Sequence, residues 1–279
     1  MSPFGVESPR IQTEPKSDAA QGPIVQHSPT VTQSLVSWLL TVPFLFAFGG
    51  TLIVFDPLQR IARLFGQRPQ EIVAGAMQTC LVFAFRISGM RLLVERSPRV
   101  KPNSAYLIVA NHQSMFDIPI LGATLFSNFP KYVAKGELAH WLPGISYNLR
   151  RGGNAVIERS DREQATRAIQ EMGATAQARG VSAVIYPEGT RSRTGRLRPF
   201  RRPGTLALLE SAARLPVVPV TIDGSWKLLR HNLLPLPYGT EVRLRIGTPI
   251  ERTEGQDNEA LILEVREQIE KTLEHWRSA

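Results

Sequence analysis

Ala110-Asn111-His112-Gln113-Ser114-Met115-Phe116-Asp117 lies between two apolar runs, residues 106–109 and 118–125. That pattern reads as a strand, a polar turn and the start of a helix. A histidine and an aspartate five positions apart suit such a turn. The carboxylate can reach one imidazole nitrogen and fix the tautomer, leaving the other nitrogen facing outward as a base. A structural histidine fits the same spacing, so the downstream residues have to decide between the two. No serine or cysteine here sits in a nucleophile elbow, which leaves a substrate hydroxyl as the group to be activated.

The 279 residues suffice for one large α/β domain with accessories and a sizeable core. The formal net charge is +9, with arginine dominant. Such a balance points to a nucleic acid, a phosphate-bearing substrate or an anionic membrane face. The basic stretches hold few aromatics and no zinc-finger or helix-turn-helix pattern, so no nucleic-acid partner is expected. Cys80 is the single cysteine, which excludes an intrachain disulfide. It lies in an apolar run, and a buried, inert thiol is expected there.

Residues 1–30 are polar and punctuated by Pro3, Pro9, Pro15, Pro23 and Pro29, the composition of a disordered tail. A signal peptide does not fit, because the apolar run starts too late and lacks a basic leader. Residues 31–88 read as a membrane-associated helical segment. The run 31–55 has no charged residue and is long enough to cross a bilayer. Pro43 and Gly49-Gly50 are expected to break it. An amphipathic stretch with Arg60, Arg63 and Arg68 follows, and the second apolar run, 72–85, is short for a span. A helical pair that enters and leaves one leaflet, with those arginines at the headgroups, accommodates both runs. Two buried core helices are the plain alternative. The segment predicts association with anionic membrane lipids, at the cytoplasmic face.

Residues 89–279 read as the catalytic domain. Strands are expected at 92–95, 105–110, 131–135, 154–157, 181–186 and 217–222. The stretch 241–246 alternates and reads as a half-buried edge strand. Ser160 and Glu163 form a capping-box pattern for a helix ending at Gly180. Residues 204–214 are helical, and Asp257 or Asn258 caps a last helix with Ile262, Val265, Ile269, Leu273 and Trp276 on one face. Strands alternating with helices predict an α/β fold with a mixed, mostly parallel sheet flanked by helices.

A second constellation ends the strongest strand: Tyr186-Pro187-Glu188-Gly189-Thr190-Arg191-Ser192. A tight turn at a carboxyl end is where open α/β sheets bind ligands. It presents Glu188 and Arg191 together, and an arginine at a glycine turn suits a phosphate. A surface Arg–Glu pair is the plain alternative. Arg193, Arg196, Arg198, Arg201 and Arg202 continue the basic character.

In these blocks the chain resembles the glycerolipid acyltransferases, most closely the 1-acyl-sn-glycerol-3-phosphate acyltransferases. The first block is Asn111-His112 through Asp117. The second runs from Lys135-Gly136-Glu137-Leu138 and Pro143-Gly144 to Ile157-Glu158-Arg159. The third is Pro187-Glu188-Gly189-Thr190-Arg191-Ser192 with Phe200 and Gly204, and the fourth is Val217-Val218-Pro219-Val220. Tyr186 stands where the family commonly has phenylalanine, and Glu158 where it usually has aspartate. The resemblance implies a base at His112 and a partner at Asp117. It implies acceptor-phosphate binding by Arg159 and the turn of Glu188, Gly189, Thr190 and Arg191, with Lys135 in the same site.

The implied reaction is transfer of a fatty acyl group from a thioester, acyl-CoA or acyl-carrier protein, to lysophosphatidic acid, giving phosphatidic acid. A thioester is already activated, so neither cofactor nor metal is expected. Another lysolipid acceptor, such as a lyso-ornithine lipid, is an alternative. A hydrolase would need a nucleophile, and Ser114 lies on no Gly-x-Ser-x-Gly elbow. A non-catalytic basic membrane-binding protein is the remaining alternative.

Overall fold

The computed structural model describes residues 30–278. The tail read at 1–30 lies outside them except for Thr30, which caps the first helix through a reciprocal pair of bonds with Gln33.

Seven strands form one sheet: β1 (Arg91–Arg96), β2 (Leu107–Ala110), β3 (Lys131–Lys135), β4 (Ala155–Ile157), β5 (Ala183–Ile185), β6 (Val217–Asp223) and β7 (Glu241–Ile246). Their order is β1-β7-β6-β2-β5-β3-β4. All neighbours are parallel except β6 and β7. Five strands therefore end on one edge, and β1 and β7 run the other way. The expected edge position of β7 is corrected: β1 pairs along it from Arg91–Glu241 to Arg96–Ile246, so β1 is the edge. The alternation of β7 is real, with Val242, Leu244 and Ile246 buried.

Helices cover both faces: α1 (Val31–Leu64), α2 (Gln67–Ala84), α3 (Asp117–Thr124), α4 (Ile145–Arg151), α5 (Arg162–Arg179), α6 (Arg202–Ser211) and α7 (Asn258–Ser278). The pleat sends Ile108 and Ala110 to the face under α1, α2 and α3, and Leu107 and Val109 to the face under α5, α6 and α7. The cap of α5 is Asp161, not Ser160: its carboxylate accepts from Gln164 N at 2.9 Å. Asp257 caps α7 by accepting from Glu259 N at 2.8 Å.

The break expected at Pro43 and Gly49-Gly50 is absent. α1 continues through Pro43 and Pro57 for 34 residues, about 51 Å at 1.5 Å per residue. The carbonyls that lose an amide partner belong to Leu39 and Ile53, both on exposed turns. The basic stretch with Arg60 and Arg63 is thus the last part of α1. α2 begins five residues before the apolar run because its polar first turn finds partners. Glu71 meets Lys131 Nζ at 2.7 Å and Arg179 at 2.8 Å, and Gln70 accepts from Arg63 at 3.2 Å. Cys80 is exposed, which corrects the buried thiol: the packed stripe of α2 is Ala74, Met77, Gln78 and Leu81, and Cys80 falls outside it.

Two stretches, Val31–Leu64 and Gln67–Ser88, are long and apolar enough to cross a membrane. α1 is nevertheless fastened to the sheet domain near both ends. Ser37 and Thr41 hydroxyls accept from Tyr238 N and Leu236 N at 3.0 and 2.9 Å. Phe44 packs on Phe85, ring centres 4.9 Å apart. Farther on, Gln59 donates to Gly144 O at 2.9 Å and Arg63 to Arg151 O at 3.3 Å.

Candidate active site

Because β2 to β6 are parallel to one another, the loops after them share one edge. His112 follows β2, Lys135 ends β3, Arg159 follows β4, Glu188 follows β5 and Ser225 follows β6. This edge is where ligands bind in open α/β sheets.

Asn111 ends β2 with a side chain that imitates backbone. Its Oδ1 accepts from Ile222 N at 2.7 Å and its Nδ2 donates to Ile222 O at 2.8 Å. The chain then turns out at His112. Asp117, fully buried at the start of α3, gathers the turn around its carboxylate. Oδ2 lies 2.8 Å from His112 Nδ1 and accepts from Gln113 N at 2.7 Å and Ser114 N at 2.9 Å. Oδ1 accepts from Ser225 Oγ at 2.5 Å. With the carboxylate as acceptor, Nδ1 carries the proton and Nε2 keeps its lone pair. The imidazole stacks on Tyr186, centroids 4.2 Å apart and 20° from coplanar.

Glu188 corrects the expected display of an acid beside Arg191. Its side chain turns inward and is buried. Oε1 accepts from His112 N at 2.6 Å, Oε2 from Arg198 N at 2.9 Å. Burial pushes this carboxyl up to about 7, against the pull of those two amides. A buried carboxylate offers nothing to a phosphate; Glu188 holds the histidine turn instead. Gly189 follows with φ +66°, and a Cβ there would come 3.0 Å from Arg201 Cδ.

Arg191 lines a cavity of about 590 Å³ with Gln113, Met115, Arg193, Trp226 and Leu229, among others. Arg159 is exposed; partial burial and the nearby Arg201 and Arg191 hold its guanidinium below the ordinary value, with Glu137 opposing. Arg159 thus lies within electrostatic reach of both Arg201 and Arg191. Lys135 sits 3.9 Å from Glu137 and is half-exposed, as is Thr190. No group of three or more potential metal ligands occurs among the described residues.

The sequence reading missed Ser225, the inward role of Glu188 and a brace behind the turn. In that brace Gln113 Nε2 donates to Asp223 Oδ1 at 3.0 Å and Gly195 O at 3.2 Å. Arg277 at the end of α7 donates to the same two atoms, at 2.8 and 2.7 Å. Only the tertiary fold brings these groups together, from β6, a loop and α7.

Residues 91–223 match the family model described as Acyltransferase. The chain is 32% identical over 132 residues to a Cocos nucifera protein named 1-acyl-sn-glycerol-3-phosphate acyltransferase, covering 47% of this chain and 42% of that one. It is 27% identical over 159 residues to the Mus musculus protein of that name, alpha form, covering 53% and 50%. The chain spans about half the length of these curated relatives. The crystal structure of the 1-acyl-sn-glycerophosphate (LPA) acyltransferase PlsC from Thermotoga maritima superposes with a TM-score of 0.73 at 24% identity. It covers 88% of this chain and 98% of that one, and shows the same fold.

Proposed function

We propose that this chain, an acyltransferase-family protein through residues 91–223, moves a fatty acyl group from a thioester to the free hydroxyl of 1-acyl-sn-glycerol 3-phosphate, giving phosphatidic acid. The observation that carries the reading is His112, its Nδ1 held by Asp117 and its Nε2 free, next to an arginine-lined cavity. Nε2 takes the hydroxyl proton as the oxygen attacks the thioester carbonyl. The carbon–sulfur bond breaks, and the imidazolium returns the proton to the departing thiolate. Asp117 stabilises the imidazolium, and Ser225 orients Asp117. Arg191, with Arg159 and Arg201 nearby, suits the acceptor phosphate. The names of the relatives support this acceptor over other lysolipids.

The donor is a thioester of coenzyme A or acyl-carrier protein, and a thioester needs no cofactor for activation. The acceptor lives in a bilayer, and α1 suits delivery from its surface. A helix bonded to one domain near both ends lies along that domain, in keeping with a helix set into one leaflet. The cytoplasmic face is the side where such donors are made.

The test is to incubate the purified full chain with lysophosphatidic acid, in parallel with a lyso-ornithine lipid, and with each donor, identifying products by mass. Phosphatidic acid, absent with His112→Ala, is the expected product. Acylation of the ornithine lipid alone would overturn the acceptor, and no product from any pair would overturn the reaction.

A further inference from the structure

Residues 136–144 leave the carboxyl end of β3, on the same sheet edge as His112. They carry Trp141, 97% exposed, the most exposed large apolar side chain among the described residues. Leu138 and Leu142 beside it are 40% and 37% exposed. Trp141 also has φ +68°, a left-handed conformation that costs a bulky L-residue. An indole held in water by an unfavourable backbone calls for a partner that covers it.

The loop is pinned in place. Ser146 Oγ accepts from Leu142 N at 2.9 Å and bonds Leu138 O at 3.0 Å. Gly144 N donates to Asp56 Oδ1 at 2.8 Å, and Gly144 O accepts from Gln59. Gly144 has φ +69°, and a Cβ there would come 2.7 Å from Met77 Sδ and 3.1 Å from Leu52 O. The apolar tip is thus latched to α1 and closely packed on Met77 of α2, the two helices apolar and long enough for a membrane. Two cations stand at its base: Arg60, paired with Asp56 at 2.7 Å and lying over the Tyr147 ring at 4.7 Å, and the exposed Arg150, which donates to Ala139 O. α1 adds exposed Ile53, Leu58 and Ile61 on the stretch that holds the loop.

We infer that Trp141, Leu138 and Leu142 form a second membrane anchor, seated at the headgroup level of a bilayer that contains anionic lipid. The indole suits that depth, with an apolar body and an N–H for the wet side. The two arginines suit the lipid phosphates. Since the loop hangs from the catalytic edge of the sheet and is bonded to α1, this contact sets the height of the cavity above the lipid. The surface stands independently of which acyl transfer the chain performs.

The test uses the full chain with Cys80→Ser and Trp141→Cys, labelled at residue 141 with an environment-sensitive fluorophore. Vesicles of phosphatidylcholine and phosphatidylglycerol are then added. The expected result is a blue shift and loss of quenching by aqueous iodide at residue 141. The same label on Arg167→Cys, exposed on α5 across the sheet, should show neither. A probe at 141 that stays water-like on vesicle-bound protein would overturn the inference. So would a blue shift without vesicles that grows with protein concentration, which would assign the patch to a second copy of the chain.

Discussion

Glu188 Oε1 accepts the backbone N–H of His112 at 2.6 Å, across the junction between β5 and β2. The acid of the third sequence block thus holds the histidine of the first. His112 returns the tie, its carbonyl accepting from Ser192 N at 2.7 Å. The two blocks form one braced unit, and Glu188 acts on chemistry through the position of the base.

That brace carries a pH signature. The Glu188 carboxyl is raised from 4.5 to about 7, mainly by burial. A raised acid favours the native state most when protonated, so its contribution is full below the unfolded value and lost as pH rises through the folded one. The stability advantage of the native chain over Glu188→Gln should therefore shrink between pH 4.5 and about 7 and then level off. Thermal midpoints measured across that range decide it; a constant difference would count against a titrating Glu188.

His112→Ala should abolish transfer with circular dichroism unchanged. Asp117→Asn should lose about two to four decades in kcat, because a neutral amide lacks the charge that stabilises the imidazolium and can present N–H to Nδ1 in the wrong tautomer. Near-normal turnover by the His112 variant would sink the mechanism.

Ser225→Ala leaves one oxygen of a buried carboxylate without its hydroxyl donor. A charge-assisted bond is worth roughly 1.5–3 kcal/mol, so kcat should fall by about one to two decades. Because Ser225 acts through Asp117, KM for both substrates should hold. A rise in KM with kcat intact would place Ser225 in substrate binding instead.

Arg191→Ala should raise KM for the phosphate-bearing acceptor by about one to two decades and leave the donor nearly unaffected. Arg159→Ala should do less, since Arg159 is more exposed than Arg191, and Arg191 and Arg201 remain. Equal effects on both substrates would mark Arg191 as structural.

Most of the parallel sheet was legible because β2, β5 and β6 are apolar runs with turn residues at their carboxyl ends. β1 was legible as a strand at 92–95 but its place at the edge was not: β1 and β7 are 150 positions apart, as in the pair Arg91–Glu241, and no periodicity reports a partner that distant. Likewise, Ser225 became visible only once β6 lay beside β2. For α1, local rules on Pro43 and the glycine pair gave way to contacts with the sheet domain, made through Ser37, Thr41 and Gln59. At Glu188 the motif was plain and the direction of its side chain was not, because burial is set by the whole fold.

The rung that Asn111 makes with Ile222 fixes more than a register. A side chain standing in for a peptide unit ends the strand with both polar groups of Ile222 still paired. The backbone of residue 112 can then leave the sheet without loosening its neighbour. Fraying is thereby confined beyond the histidine, so the Ile222 amide should exchange with deuterium as slowly as the sheet interior, one step from a loop that faces solvent.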